Sequence, residues 1–127
     1  MTNSPPLKKM MLAISSRSPK AKTLIDGTAH LAAQLQAEWF VVHVLQPGHS
    51  PAPEADLEYA RNLGARVVTE SLRGSVASTL VSFARSMNID YLVTGRTGRP
   101  RYRLFLWRQT LTEQIQRKLP NTVVLIV

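Results

Sequence analysis

The chain has 127 residues, 44% of them hydrophobic, enough for one domain with a well-buried core and too few for two comfortable ones. Sixteen basic residues against eight acidic ones leave a formal charge of +8, and eleven of the sixteen are arginine, so anionic ligands and polyanions head the partners to consider. The absence of cysteine excludes disulfides, thiol redox chemistry and cysteine-ligated metal sites, and no apolar run approaches the roughly 18 residues of a membrane span. A cytoplasmic domain is the expectation, because residues 1–9 lack the apolar segment of a secretory signal.

Residues 1–8, polar and carrying Pro5-Pro6, read as a disordered lead-in or linker, and residues 9–127 as a single domain. The run from Met10 to Ser15 is almost continuously apolar, as expected of a strand covered on both faces. Ser18 is placed to cap a helix whose first position suits Pro19. Ala21, Leu24, Ile25, Thr28, Leu31, Ala32 and Leu35 then recur at helical spacing, predicting a helix over Pro19 to Gln36. Gly27 inside it costs about 1 kcal/mol relative to alanine, which points to a close approach of helix and sheet.

Glu38 to Leu45 is rich in aromatic and β-branched residues and predicts the second strand, closed by a Pro/Gly loop. A short helix is expected over Glu54 to Leu63, stopped by Gly64, then a strand over Arg66 to Glu70. Ser75 opens a helix bearing Val76, Leu80, Phe83, Ala84 and Met87 on one side, and Ile89 to Thr94 is the fourth strand. Thr110 and Glu113 have capping-box spacing before a helix that Pro120 ends. The final strand, Thr122 to Val127, is so apolar that it reads as a covered edge or as the contact of a homodimer.

This alternation implies an α/β fold: a three-layer αβα open sandwich around a five-stranded, mostly parallel sheet with right-handed crossovers. With strand order 3-2-1-4-5 the order reverses between strands one and four, and ligands of such sheets bind outside the carboxyl ends at that reversal. Two loops would then share one crevice. The first holds Ser15, Ser16, Arg17 and Ser18, and the second holds Gly95, Arg96, Thr97, Gly98 and Arg99, with Thr110 opening a helix nearby. Hydroxyls, glycine-flanked amides, guanidinium forks and helix N-termini together suit phosphate oxygens. Taken alone, the serines read as helix caps and Gly95 as a strand-to-loop turn, so the inference rests on the loops converging.

The glycines are followed by no Lys-Ser/Thr pair, which excludes a Walker A loop, and the turn after the first strand has no glycine, which excludes the dinucleotide fingerprint. His30, His43 and His49 have no metal-ligand spacing, and the carboxylates are scattered without an acid/base pair or an activated nucleophile. Arg101, Arg103 and Arg108, interleaved with Tyr102 and Trp107, form a basic surface for an acidic protein or for nucleic acid, whose bases the rings could stack on.

The element order, the glycine pair Gly95 and Gly98 after strand four, and a hydroxyl residue opening the last helix resemble the universal stress protein superfamily, of the adenine nucleotide alpha hydrolase-like fold. The segments LAAQLQAEWFVVHVLQP, YARNLGARVV and RYRLFLWRQTLTEQIQRKLP more closely resemble the universal-stress-protein-like domain of KdpD-type potassium-sensor histidine kinases. The resemblance implies a regulatory domain that binds ATP or AMP without a required metal and signals through a histidine kinase or another protein. Ser15 stands where ATP-binding members carry an acidic residue, and the third glycine of their G-x2-G-x9-G-S/T motif is replaced near Arg108 or Gln109, with Thr110 as the offset hydroxyl. Some KdpD-type domains bind cyclic di-AMP through S-x-S and, twenty residues on, F-T-A-x-Y. Ser16 and Ser18 match the first half, whereas Trp39 and His43 stand at altered positions of the second. A nucleic-acid or acidic-protein binder and an adenine-nucleotide hydrolase are the alternative readings.

Overall fold

The computed structural model describes residues 7–15, 20–46, 52–95 and 114–127. Eight elements follow in chain order: β1 (Lys8–Ala13), α1 (Ala21–Leu35), β2 (Ala37–Leu45), α2 (Glu54–Asn62), β3 (Arg66–Ser71), α3 (Val76–Met87), β4 (Tyr91–Thr94) and β5 (Val123–Ile126). Residues 114–118 are also helical. The strands form one sheet of order β3-β2-β1-β4-β5, and every pairing is parallel. The expected architecture is therefore the observed one.

β1 sits at the centre because both its faces are apolar. Met10 and Leu12 turn to the layer of α1 and α2, where they meet Ile25, Ala32, Val41, Leu57 and Ala60. Met11 turns to the other layer, where Phe40, Val42, Leu80, Phe83, Ala84, Ile115 and Leu119 pack together. Phe40 and Phe83 meet edge to face with ring centroids 5.8 Å apart. Consecutive right-handed crossovers place α1 and α2 on one face while the chain moves toward β3. When it returns past β1 to β4, the same handedness puts α3 and the helical residues 114–118 on the opposite face.

Several boundaries differ from the expectation. β1 begins at Lys8 and ends at Ala13, two residues earlier at each end than Met10 to Ser15. Its start is held by Asp90, whose carboxylate accepts from the Lys9 amide at 2.9 Å while its own amide donates to the Lys9 carbonyl at 2.8 Å. α1 begins at Ala21 rather than Pro19, because Lys20 takes φ 57° and ψ 36°, a left-handed conformation that no helical residue adopts. Ser18 and Pro19 lie outside the described residues, as do Thr110 and Glu113 of the expected capping box. Ser75 does cap α3: its hydroxyl accepts from the Ser78 amide at 3.0 Å, and Ser78 returns the bond to the Ser75 amide. Gly64 follows the last turn of α2 at φ 102°, the backbone state for which glycine is suited.

Gly27 marks the close approach that its position suggested. A Cβ there would stand 2.0 Å from Cγ1 of Val127, so the glycine lets α1 settle onto the end of the chain's last strand. On the outer surface of the same layer, the Tyr59 hydroxyl of α2 donates to Asp26 of α1, and Lys22 lies 5.5 Å above the Tyr59 ring. The hydrogen bond to Asp26, then desolvation, then the carboxylate's charge hold the Tyr59 phenol above its ordinary value of 10.0.

Two outcomes are expected. Gly27→Ala gains about 1 kcal/mol of helix propensity but overpacks Val127 at a cost of about 1–3 kcal/mol, so denaturant unfolding should reveal a net loss that Val127→Ala relieves in the double variant. In an alkaline spectrophotometric titration, Asp26→Ala should lower the Tyr59 transition toward the ordinary phenol value. Because the folded value is raised, the stabilisation linked to it is fully present below about pH 10 and disappears as pH rises through the folded transition.

Candidate functional site

In a parallel sheet every strand delivers its next loop to the same carboxyl edge, and the order reverses here between β1 and β4. These two strands are hydrogen-bonded neighbours, with Met10 opposite Tyr91, Met11 opposite Leu92 and Leu12 opposite Val93. Continuing that register sets Ala13 beside Thr94, so Ile14-Ser15 and Gly95 leave the sheet side by side. The two loops expected to converge thus start from adjacent points. Ser16, Arg17 and Ser18 of the first, and Arg96, Thr97, Gly98 and Arg99 of the second, lie outside the described residues, as do Arg101, Arg103, Arg108 and Thr110.

Ile14 prolongs the ladder by one bond, its amide donating to the Val42 carbonyl at 3.0 Å, and its side chain is buried. Ser15 is the first exposed residue beyond it. His43, the next residue on β2, is buried and brings Nδ1 to 3.4 Å from the Ile14 carbonyl oxygen. A proton on Nδ1 makes the ring the donor in this contact and leaves Nε2 as an acceptor. His43 therefore stands at the carboxyl edge against the β1 exit.

Trp39 does not join it. It occupies the amino-terminal half of β2, opposite Met10, and is buried in the layer of α1 and α2. Its Nε1 lies 4.0 Å from where a Cβ on Gly64 would be, beside the turn that leads into β3. At about 3.3 Å of rise per residue, Trp39 and His43 are about 13 Å apart along the strand, toward opposite edges of the sheet. The tryptophan acts as a core anchor, and ionic pairing of Arg66 with Glu38 at 2.9 Å belongs to the same amino edge.

Gly95 has a packing reason of its own. A Cβ there would stand 2.7 Å from Cδ2 of Leu24, so α1 closes on the backbone where β4 ends. Leu24 escaped the sequence reading because a leucine on a helical stripe signals burial without naming its neighbour. Lys20 escaped it too. It stands exposed at the start of α1, gives no side-chain cap, and precedes a first turn without an acidic residue. A lysine directly after Ser-Pro at a strand-to-helix turn was the available signal. The positive end of α1 and this ammonium both favour an anion at the carboxyl edge.

Among the described residues no three His, Asp or Glu side chains gather as metal ligands, and no helix is long and apolar enough to cross a membrane. A small polar cavity of about 80 Å³ lies elsewhere, between the end of β3 and α3, lined by Glu70, Arg73, Thr79, Ser82, Phe83 and Ser86.

No family model matches the chain. It is 32% identical over 104 residues to the sensor protein KdpD of Mycobacterium tuberculosis, an alignment that takes in 77% of this chain and 12% of that protein, so the chain spans about an eighth of its curated relative. Among solved structures it is similar to a universal stress protein in complex with cAMP, with a TM-score of 0.67 and 21% identity over 95% of this chain and 96% of that one. It is also similar to a universal stress protein from Archaeoglobus fulgidus in complex with dAMP, with a TM-score of 0.62 and 20% identity over 94% of this chain and 96% of the other. A universal stress family protein from Burkholderia pseudomallei gives 0.64, at 20% identity over 94% and 95%. With its five parallel strands in the order 3-2-1-4-5 and its likeness to a segment of KdpD, the chain is a universal-stress-protein-like domain.

Proposed function

We propose that this chain is a non-catalytic regulatory domain of the KdpD type, which holds an anionic adenine nucleotide at the carboxyl edge between β1 and β4 and signals through contacts with a partner protein. The observation that carries the reading is the pairing of β1 with β4, which starts the serine loop and the Gly95 loop from neighbouring points. The cAMP and dAMP held by two similar structures support an adenine nucleotide as the ligand class. ATP, AMP and cyclic di-AMP are the candidates for this chain. Ser15 to Ser18, Lys20 and the residues from Gly95 to Arg99 would bind phosphate oxygens, with Thr110 as a further hydroxyl and the His43 ring beside them at the edge. Trp39 is left out of the site because it anchors the opposite edge.

In this reading the domain works in the cytoplasm, within a potassium, osmotic or general stress response, and its partner is a histidine kinase or another signalling protein reached through Arg101, Arg103 and Arg108. A second copy is the other partner proposed, through residues 122–127. Val123 and Ile126 are 53% and 64% exposed on β5, an edge strand without charge, whereas the opposite edge strand β3 carries Arg66 and Glu70. The net charge of +8 favours a second reading, a nucleic-acid or acidic-protein binder that uses the arginines alone.

Calorimetry and thermal-shift measurements with ATP, AMP and cyclic di-AMP at two salt concentrations separate these readings. A nucleotide at about 100 times its Kd should stabilise the fold by about 2.7 kcal/mol. Arg17→Ala or Arg99→Ala should weaken that binding about tenfold or more, as expected for loss of a charge-assisted hydrogen bond, while Arg61→Ala on α2 should leave it unchanged. No heat with any of the three would refute the nucleotide site. Binding only to polyanions, falling with a log-log salt slope of about 0.7 to 0.9 per phosphate contact, would establish the second reading instead. For self-association, light scattering should detect a dimer that Ile126→Lys converts to monomer, and a wild-type chain monomeric at every concentration would remove residues 122–127 as the contact.

A further inference from the structure

The first two turns of α1 touch both the exit of β4 and the end of β5. Leu24 fills the space over Gly95 so closely that a Cβ on the glycine would meet Cδ2 at 2.7 Å, Cδ1 at 3.5 Å and Cγ at 3.6 Å. Three residues on, along the same helical face, Gly27 brings the backbone of α1 against Val127, where a Cβ would meet Cγ1 at 2.0 Å. The two contacts are braced within the helix, since the Leu24 amide donates to the Lys20 carbonyl at 3.1 Å and the Thr28 hydroxyl donates to the Leu24 carbonyl at 2.7 Å. They are also joined below, where the Val127 amide donates to the Thr94 carbonyl at 3.0 Å.

We propose that this segment of α1 is a relay: a displacement of the chain leaving β4 at Gly95 pushes Leu24, tilts the start of α1 and shifts Gly27 against Val127, so that the carboxyl edge and the β5 edge are mechanically coupled. A close-packed contact transmits displacement because it cannot be compressed, and two such contacts on one rigid helical turn move together. The helix is suited to the role because it also begins at Ala21, directly after Lys20 on the chain that leaves β1. The inference rests on the nucleotide reading for the identity of what moves Gly95, and on the contacts alone for the coupling itself. By linkage, whatever alters the β5 edge would change affinity at the carboxyl edge by the same factor as the reverse effect.

The test uses the full chain and amide NMR with hydrogen exchange. Gly95→Ala drives a methyl into Leu24 and should shift the Gly27 and Val127 amides and speed Val127 exchange several-fold. Leu24→Ala introduced into that variant removes the contacted methyls and should restore both. A Val127 response that persists in the double variant would show that the signal passes along the Thr94–Val127 hydrogen bond instead, and an absent response would end the proposal. If Gly95→Ala does not fold, Leu24→Ala alone should raise exchange at Gly95 and Val127 together, and an unchanged Val127 overturns the relay. Added AMP supplies the remaining arm. Binding that moves residues 123–127 supports the relay, binding that leaves them still refutes it, and no binding at all sinks the nucleotide reading while the variants decide the coupling.

Discussion

Burial of β1 on both faces is the constraint on which the rest of this structure depends. Met10, Met11 and Leu12 are 0%, 0% and 2% exposed, and each commits one side of the sheet to a helical layer. A strand in that position needs a neighbour on each edge to satisfy its backbone, and it has β2 on one side and β4 on the other. The winding reverses because β4 pairs with β1 and not with β3, the strand before it in the chain. The reversal then produces the third layer and sets the exits of β1 and β4 side by side.

Polar groups at the two edges of the sheet do different work. At the amino edge they staple the fold: Asp90 closes onto Lys9, Arg85 donates to the Lys118 carbonyl at 2.9 Å, and the Thr122 hydroxyl donates to the Ile89 carbonyl at 3.2 Å. These bonds join the helical residues near 118 and the start of β5 to the core. Near the β1 exit the carboxyl edge carries Ser15, the His43 ring and Lys20, with the positive end of α1 pointing the same way, and beyond β3 the Ser75–Ser78 capping box holds the start of α3. Open parallel sheets bind their ligands at the carboxyl edge.

Glycines carry much of the tertiary specificity. Gly27 and Gly95 are both places where a side chain would strike another element, one at Val127 and one at Leu24. Neither needs an unusual backbone angle, so the absence of a Cβ, and not freedom of φ, explains them. Gly95 thus has a structural duty against α1 beside any contact with a ligand.

Much of this protein was legible in its sequence alone. The apolar run MMLAI, the helical stripe from Ala21 to Leu35 and the regular alternation of elements determined an αβα sandwich, because hydrophobic period and strand burial are properties of local sequence. The helix-to-sheet contact at Gly27 was legible too, since a mid-helix glycine costs stability and needs a reason. Only the tertiary structure decided that Trp39 and His43, four residues apart on one strand and on the same face, serve opposite edges of the sheet. It alone also paired Gly95 with Leu24, and set Lys20 in a left-handed turn that moved the start of α1 to Ala21. These depend on where a strand crosses the sheet and on which side chain arrives from another element, and spacing along the chain carries neither quantity.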